Sequence, residues 1–159
     1  MTRVRLITND LLRSVAKKAM HSPRLRMNHN FHSDPSETVH RFLNVLLLGT
    51  YVRPHRHIFP PKSETLILLE GELDLITFED DGAIRSRSRL SGTSGEHRIR
   101  GADIGAGIWH TVLVVTEHAV CFEVKPGPWT NNASDKDFAQ WAPAETDPGA
   151  SSYLVGLTK

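Results

Sequence analysis

Two histidines one residue apart, His55 and His57, stand in the string Pro54-His55-Arg56-His57. On a strand, residues two apart point to the same face, so the two imidazoles can converge on one point. Glu64 follows beyond Pro60-Pro61, which cannot continue a strand ladder. The chain must therefore bulge out and return, and the return can set Glu64 beside the histidines. His110 comes at the head of a later strand, directly after the turn residues Gly105-Ala106-Gly107. Three imidazoles and one carboxylate suit a single divalent transition metal of borderline character: iron, manganese, nickel, cobalt or zinc. A surface strand pair beside a solvated glutamate is the other reading of the same residues, and only the surrounding frame separates the two.

The positioning elements are mostly strands. Leu6 to Met20 reads as a helix, capped by Thr8 or Asn9, with Leu11, Leu12, Val15, Ala16 and Ala19 on one face. Ser22-Pro23 ends it, because the residue before a proline is pushed out of the helical region. From Arg24 to His32 the period becomes two, with Arg24, Arg26, Asn28, Asn30 and His32 on one row and Leu25, Met27, His29 and Phe31 on the other. Strands are then expected over 39–49, 51–57, 64–70, 72–78, 84–90, 96–100, 109–116 and 119–125. Asp80-Asp81-Gly82 supplies a hairpin turn, and Gly71, Gly92, Gly95 and Gly101 mark others. The pattern predicts an all-β sandwich, jelly roll or small barrel, organised as a helical extension over 1–22, a barrel over 23–127 and a wrapping tail over 128–159. Trp129, Phe138 and Trp141 would pin that tail to the barrel, and Tyr153 to Leu157 would form a closing helical turn or strand.

Composition excludes several classes. In 159 residues, 39% are hydrophobic and 23% charged, enough for a packed core. Nineteen Lys plus Arg against eighteen Asp plus Glu leave a net charge of +1, without the basic excess of a nucleic-acid partner. One cysteine, Cys121, excludes an internal disulfide framework and a multi-cysteine zinc site. The longest apolar run, Val45 to Leu48, is far short of a membrane span, and no apolar stretch typical of a signal peptide follows the first ten residues. A cytoplasmic single-domain protein is the expectation.

The frame around the histidines resembles the cupin superfamily. Its first motif runs glycine, five residues, His-x-His, a spacer, glutamate, six residues, glycine, and Gly49, His55, His57, Glu64 and Gly71 match it with a long spacer. Its second motif is matched by Gly105-Ala106-Gly107 and His110, with glycine for the usual first proline and Val114 where asparagine is usual. The chain is most similar to the WbuC-type cupin-fold metalloproteins, through Ser-Pro-Arg-Leu-Arg-Met-Asn-His-Asn (22–30), Pro-His-Arg-His (54–57), Lys-Ser-Glu-Thr (62–65), Trp-His-Thr (109–111) and Phe-Glu-Val-Lys-Pro-Gly-Pro (122–128). The resemblance implies a metal-binding cupin jelly-roll β-barrel, with a short N-terminal helix and an irregular C-terminal tail, encoded among surface-polysaccharide (O-antigen) genes. It also implies a homodimer.

Further candidates come from pairing. A two-residue loop at Glu117-His118 would pair Val112 with Glu123 and His110 with Lys125, turning both charges toward His110; a three-residue loop would turn them to solvent. Cys121 would share that face as a small buried residue. The polar row of Arg24, Arg26 and Asn28 either faces solvent or roofs the barrel mouth, where an arginine can clamp a phosphate or carboxylate bidentately. Arg53 and Lys62 flank the metal motif and could do the same. Arg85, Arg87 and Arg89 alternate on an expected edge strand, where positive charge discourages aggregation. His21, His40, His97 and His118 lack convergent partners and read as structural.

Three functions compete. A metal-dependent isomerase or epimerase would act on a small, polar, anionic, sugar-derived substrate, with Lys62, Glu123 or Lys125 moving the proton. An iron-dependent oxygenase would use the same ligands. A non-catalytic module would use the metal to hold a saccharide or to regulate.

Overall fold

The computed structural model describes residues 4–93, 95, 98–129 and 136–159. Thr8, rather than Leu6, opens the first helix: its backbone is extended and its hydroxyl accepts from the Leu11 N–H at 3.2 Å. Helix α1 (Asn9–Met20) buries Leu12, Val15 and Ala19. Among the described residues ten strands follow: β1 (Arg26–Asn30), β2 (Val39–Leu47), β3 (His55–Arg56), β4 (Glu64–Glu70), β5 (Glu72–Phe78), β6 (Ile84–Ser91), β7 (Gly101–Ile104), β8 (Trp109–Val114), β9 (His118–Pro126) and β10 (Asp137–Phe138). Helix α2 (Ala150–Leu157) follows.

The strands form two five-stranded sheets, ordered β1-β2-β9-β4-β7 and β10-β3-β8-β5-β6, with every pair of named strands antiparallel. Counted from β2 to β9, the first sheet takes the first, eighth, third and sixth strands and the second sheet the second, seventh, fourth and fifth. That alternation is the jelly roll expected from the sequence. Gly71 alone carries the chain from β4 in one sheet to β5 in the other, at a φ of +72° that favours glycine.

The core lies between the sheets, with Leu46, Leu66, Leu68, Leu73, Leu75, Val114, Ala119 and Cys121 buried there. The back of the first sheet packs Leu43, Val45 and Val120 against α1. The back of the second packs Ile76, Phe78, Trp109 and Leu113 under Ala139, Ala142 and Leu157 from the C-terminal segment. Each sheet thus buries apolar residues behind part of its outer face as well as between the sheets, and polar side chains gather at the end where the cavity opens.

Four expectations need correction. The strands at Trp109 and Ala119 are not a hairpin: β8 pairs with β3 and β5, and β9 with β2 and β4, so the chain crosses between sheets at residues 115–117. Of 51–57, only His55 and Arg56 join the ladder. The strand expected at 96–100 falls partly outside the described residues, where Glu96 and His97 lie; the ladder strand here is Gly101–Ile104, paired with β4, whose backbone leaves no room for a side chain at Gly101. The tail is less irregular than expected, since it adds β10 to the second sheet and ends in α2. Edge strand β6 does carry Arg85, Arg87 and Arg89, but they are ion-paired with Glu79, Asp74 and Glu72, so the row satisfies acidic neighbours as well as guarding an edge. Among the described residues no helix is long and apolar enough to cross a membrane.

Candidate metal centre

His55, His57, Glu64 and His110 meet at the open end, all four buried, with their potential ligand atoms within 4.8 Å of one another. The two sheets build this cluster together. His55 and His110 are direct cross-strand partners on β3 and β8, and Glu64 begins β4 in the opposite sheet. The bulge after His57 closes on an isolated bridge between Ile58 and Pro61, which returns the chain to Glu64.

Hydrogen bonds orient the rings. His55 donates its Nδ1–H to the Arg53 carbonyl at 3.0 Å, and His110 donates its own to the Ile108 carbonyl at 2.8 Å, leaving Nε2 as the ligating atom in each. Glu64 spans two imidazoles, with Oε1 2.8 Å from His110 Nε2 and Oε2 3.4 Å from His57 Nε2. Burial disfavours the Glu64 anion, but the bonds from His110 and His57 and the charge of His110 prevail, holding its carboxyl well below the usual range. Burial also keeps His55 well below the ordinary imidazole value, hence neutral. A neutral imidazole and an ionised carboxylate are the forms that bind metal, so this donor set fits a borderline divalent cation.

The cluster opens on a cavity of about 870 Å³, lined among others by Asn28, Asn44, Glu123, Lys125, Lys136 and Phe138. Glu123 reaches it from β9, where it lies between Phe42 of β2 and Leu66 of β4. Burial, then the Glu64 charge, push the Glu123 carboxyl up to about 7, against the pull of Lys125 and Lys136. Asn44 Nδ2 donates to Glu123 Oε2 at 3.5 Å.

A family model described as a domain of unknown function, DUF6016, matches residues 7–90, just over half the chain. The chain belongs to the DUF6016 family. No curated protein matches it in sequence. Among solved structures, the capsular polysaccharide assembling protein CapF from Staphylococcus aureus superposes with a TM-score of 0.59 at 18% identity, covering 74% of this chain and 32% of its own. Protein SO0799 from Shewanella oneidensis gives 0.53 at 10% identity, covering 70% of this chain and 72% of its own. A cupin 2 conserved barrel domain protein from Leptotrichia buccalis gives 0.47 at 18% identity, covering 64% and 41%. The DUF6016 chain thus spans about a third of the length of CapF. Its strand order is that of a cupin-like jelly roll.

Within this DUF6016 chain, Arg24, Arg26 and Asn28 do reach the cavity wall, but the two arginines are engaged. Glu145 accepts from Arg24 Nε at 3.0 Å and from Arg26 at 2.6 Å, so the expected anion clamp closes on a carboxylate of the chain itself. Arg53 lies outside the lining, donating to the Ala139 carbonyl at 2.6 Å and stacking over Phe138. Lys62 is buried outside it too, its Nζ 2.8 Å from the Pro128 carbonyl, which pins the tail. Glu123 and Lys125 do line the cavity, although their expected strand partner was wrong. His40, read as structural, stacks on His32 at the cavity edge. The residue missed by sequence reading is Lys136: it alternates with Asp137 so that Lys136 and Phe138 face the cavity while Asp137 pairs with Arg56. A strand of two residues leaves no periodic signal in the sequence that could have found it.

Proposed function

We propose that the protein is a metal-dependent isomerase or epimerase acting on a small, polar, sugar-derived substrate, in the surface-polysaccharide (O-antigen) setting implied by its resemblance to WbuC-type cupins. One observation carries the reading: beside four convergent donors stands a separate carboxyl, Glu123, whose proton affinity is tuned to about 7. When bound by His55, His57, Glu64 and His110, a divalent ion supplies Lewis-acid polarisation of a substrate carbonyl or hydroxyl oxygen. Glu123 takes the proton from the carbon next to a substrate carbonyl and delivers it to the former carbonyl carbon, while the hydroxyl proton passes from one oxygen to the other, since a group near neutrality serves in both directions. Asn44 holds the Glu123 carboxyl in place, and Lys125, 4.0 Å away, favours its ionised form. Residues of the tail and β1 line the chamber around Glu123. CapF, a capsular polysaccharide assembling protein of like fold, supports the setting.

Elemental analysis of untagged protein, beside a His57→Ala variant, tests the site, with near-stoichiometric metal expected only in the wild type. Metal-loaded protein is then incubated with reducing sugars and sugar phosphates in deuterated water. Deuterium appearing beside the carbonyl, and lost in a metal-retaining Glu123→Gln variant, is the expected result. Oxygen consumption by the iron-loaded protein without deuterium exchange would replace this reading with an oxygenase.

A further inference from the structure

The cavity holds two ammonium groups, one from a strand and one from the tail. Lys125 extends from β9, its Nζ 4.0 Å from Glu123 Oε1 and 5.7 Å from the centre of the Phe42 ring. Lys136 enters from the residue before β10, where the chain docks on β3 beside His55. Among the described residues Lys136 makes no salt bridge. Burial pulls its ammonium down from the ordinary lysine range, Lys125 pulls the same way, and Glu64 and Glu123 oppose them. The two lysines therefore share one field with the cluster carboxylate.

Charge balance makes the arrangement informative. Arg24 and Arg26 are held by Glu145, and burial keeps His40 toward its neutral form. Among the carboxylates and ammonium groups of the lining, what remains is Glu64 and Glu123 against Lys125 and Lys136. A divalent ion at the four-donor cluster adds two positive charges, and surplus charge in a partly buried chamber is costly until an opposite charge arrives. Asn44 adds a neutral requirement: its Oδ1 is buried without a hydrogen-bond partner, so the wall lacks a donor there, such as a hydroxyl. Its cross-strand partner is Asn28, another amide in the lining.

We propose that Lys125 and Lys136 form an oxyanion subsite, and that the substrate is a polyhydroxylated anion, a sugar acid or sugar phosphate. Its carboxylate or phosphate sits between the two ammonium groups, one of its hydroxyls donates to Asn44, and its reacting oxygen lies at the four-donor cluster. The assignment rests on the metal-dependent reading above. It also moves anion recognition away from Arg24 and Arg26, whose charge the chain itself consumes, to a lysine supplied by the tail.

Titration calorimetry of the metal-loaded full chain with D-glucuronate, D-glucose 6-phosphate and D-glucose tests the subsite, with bound metal measured on every sample. At least one anionic probe should bind tenfold or more tightly than glucose, and which one does so distinguishes carboxylate from phosphate. Lys125→Gln and Lys136→Gln should each weaken that probe at least tenfold with metal content unchanged. Should either variant fail to fold, the wild type decides: raising sodium chloride from about 50 to 500 mM should weaken the anion and leave glucose unaffected. Glucose binding as tightly as both anions, no anion binding by the metal-loaded protein, or folded lysine variants that bind like the wild type would each overturn the subsite. Failure to take up metal would instead overturn the metal-dependent reading, and lysine-dependent anion binding by that same metal-free chain would leave the subsite standing.

Discussion

His55 and His110 face each other directly across β3 and β8, ring centres 4.5 Å apart, and each donates its Nδ1–H to the carbonyl two residues before it. The backbone just ahead of two adjacent strands thereby fixes both rings before any ligand arrives, a form of preorganisation that does not depend on other side chains.

Replacing His110 by alanine should cost more than a ligand. Glu64 would lose its 2.8 Å contact and keep the longer one to His57 while remaining buried. Removing one partner of a buried charge pair typically costs about 3 kcal/mol. His110→Ala is therefore expected to bind little metal by elemental analysis and to unfold at lower urea even after treatment with EDTA. Equal stability of the EDTA-treated variant and wild type would show that the pair is not paired as drawn.

Glu145 should stabilise the protein in a pH-dependent way. Burial raises its carboxyl pKa, but the charge of Arg26 and the bond from Arg24 outweigh that and leave it below the usual value. A depressed carboxyl contributes stability that is present above its unfolded pKa, about 4.3, and lost as pH falls through the folded value. Glu145→Gln is expected to cost about 1–2 kcal/mol in urea at pH 7, with the difference fading below pH 4. A constant difference at pH 7 and pH 3 would contradict the ion-pair assignment.

Gly71 should tolerate no side chain. A Cβ there would strike the His118 carbonyl oxygen and the Thr116 hydroxyl, and the φ of +72° is unfavourable to L residues. Gly71→Ala is expected to lose roughly 3 kcal/mol, lowering Tm by about 10 °C, because the strain falls where the chain changes sheets. A melting curve within a degree or two of wild type would mean that β4 and β5 are joined differently.

Much of this architecture was legible in residue patterns, and the reasons for the rest are specific. His55, His57, Glu64 and His110 could be grouped because a two-residue repeat and a Pro-Pro break constrain direction over short distances. The partner of β9 could not be read in the same way. Val120 faces α1 while Ala119 and Cys121 face the inter-sheet core, so both rows look apolar and hydrophobicity cannot set the pairing. Glu123 still faces the cavity because β9 lies beside β4, with Leu66 opposite Glu123 on the inward row. Arg26 shows another limit: its place on the polar row was readable, but Glu145, 119 residues away, was not. Lys136 depends on β10, a two-residue pairing too short to leave a periodic signature.

Glu123 supplies the sharpest pH test of the site. Its folded pKa is raised to about 7, chiefly by burial and then by the Glu64 charge, while an unfolded glutamate titrates near 4.3. The folded state therefore holds this proton more tightly, and stability should fall as pH rises from about 4 to 7 and then level off. Glu123→Gln cannot ionise and should escape that loss. In EDTA-treated protein the variant is expected to match wild type near pH 4 and to exceed it at pH 8, by on the order of 1 kcal/mol for each unit of pKa displacement. Activity should move the other way, since the glutamine cannot accept a proton: the Glu123→Gln enzyme should bind metal normally and exchange no substrate deuterium. A variant less stable than wild type at pH 8 would mean that the Glu123 anion is compensated in the folded state, leaving no reason for its proton affinity to lie near neutrality.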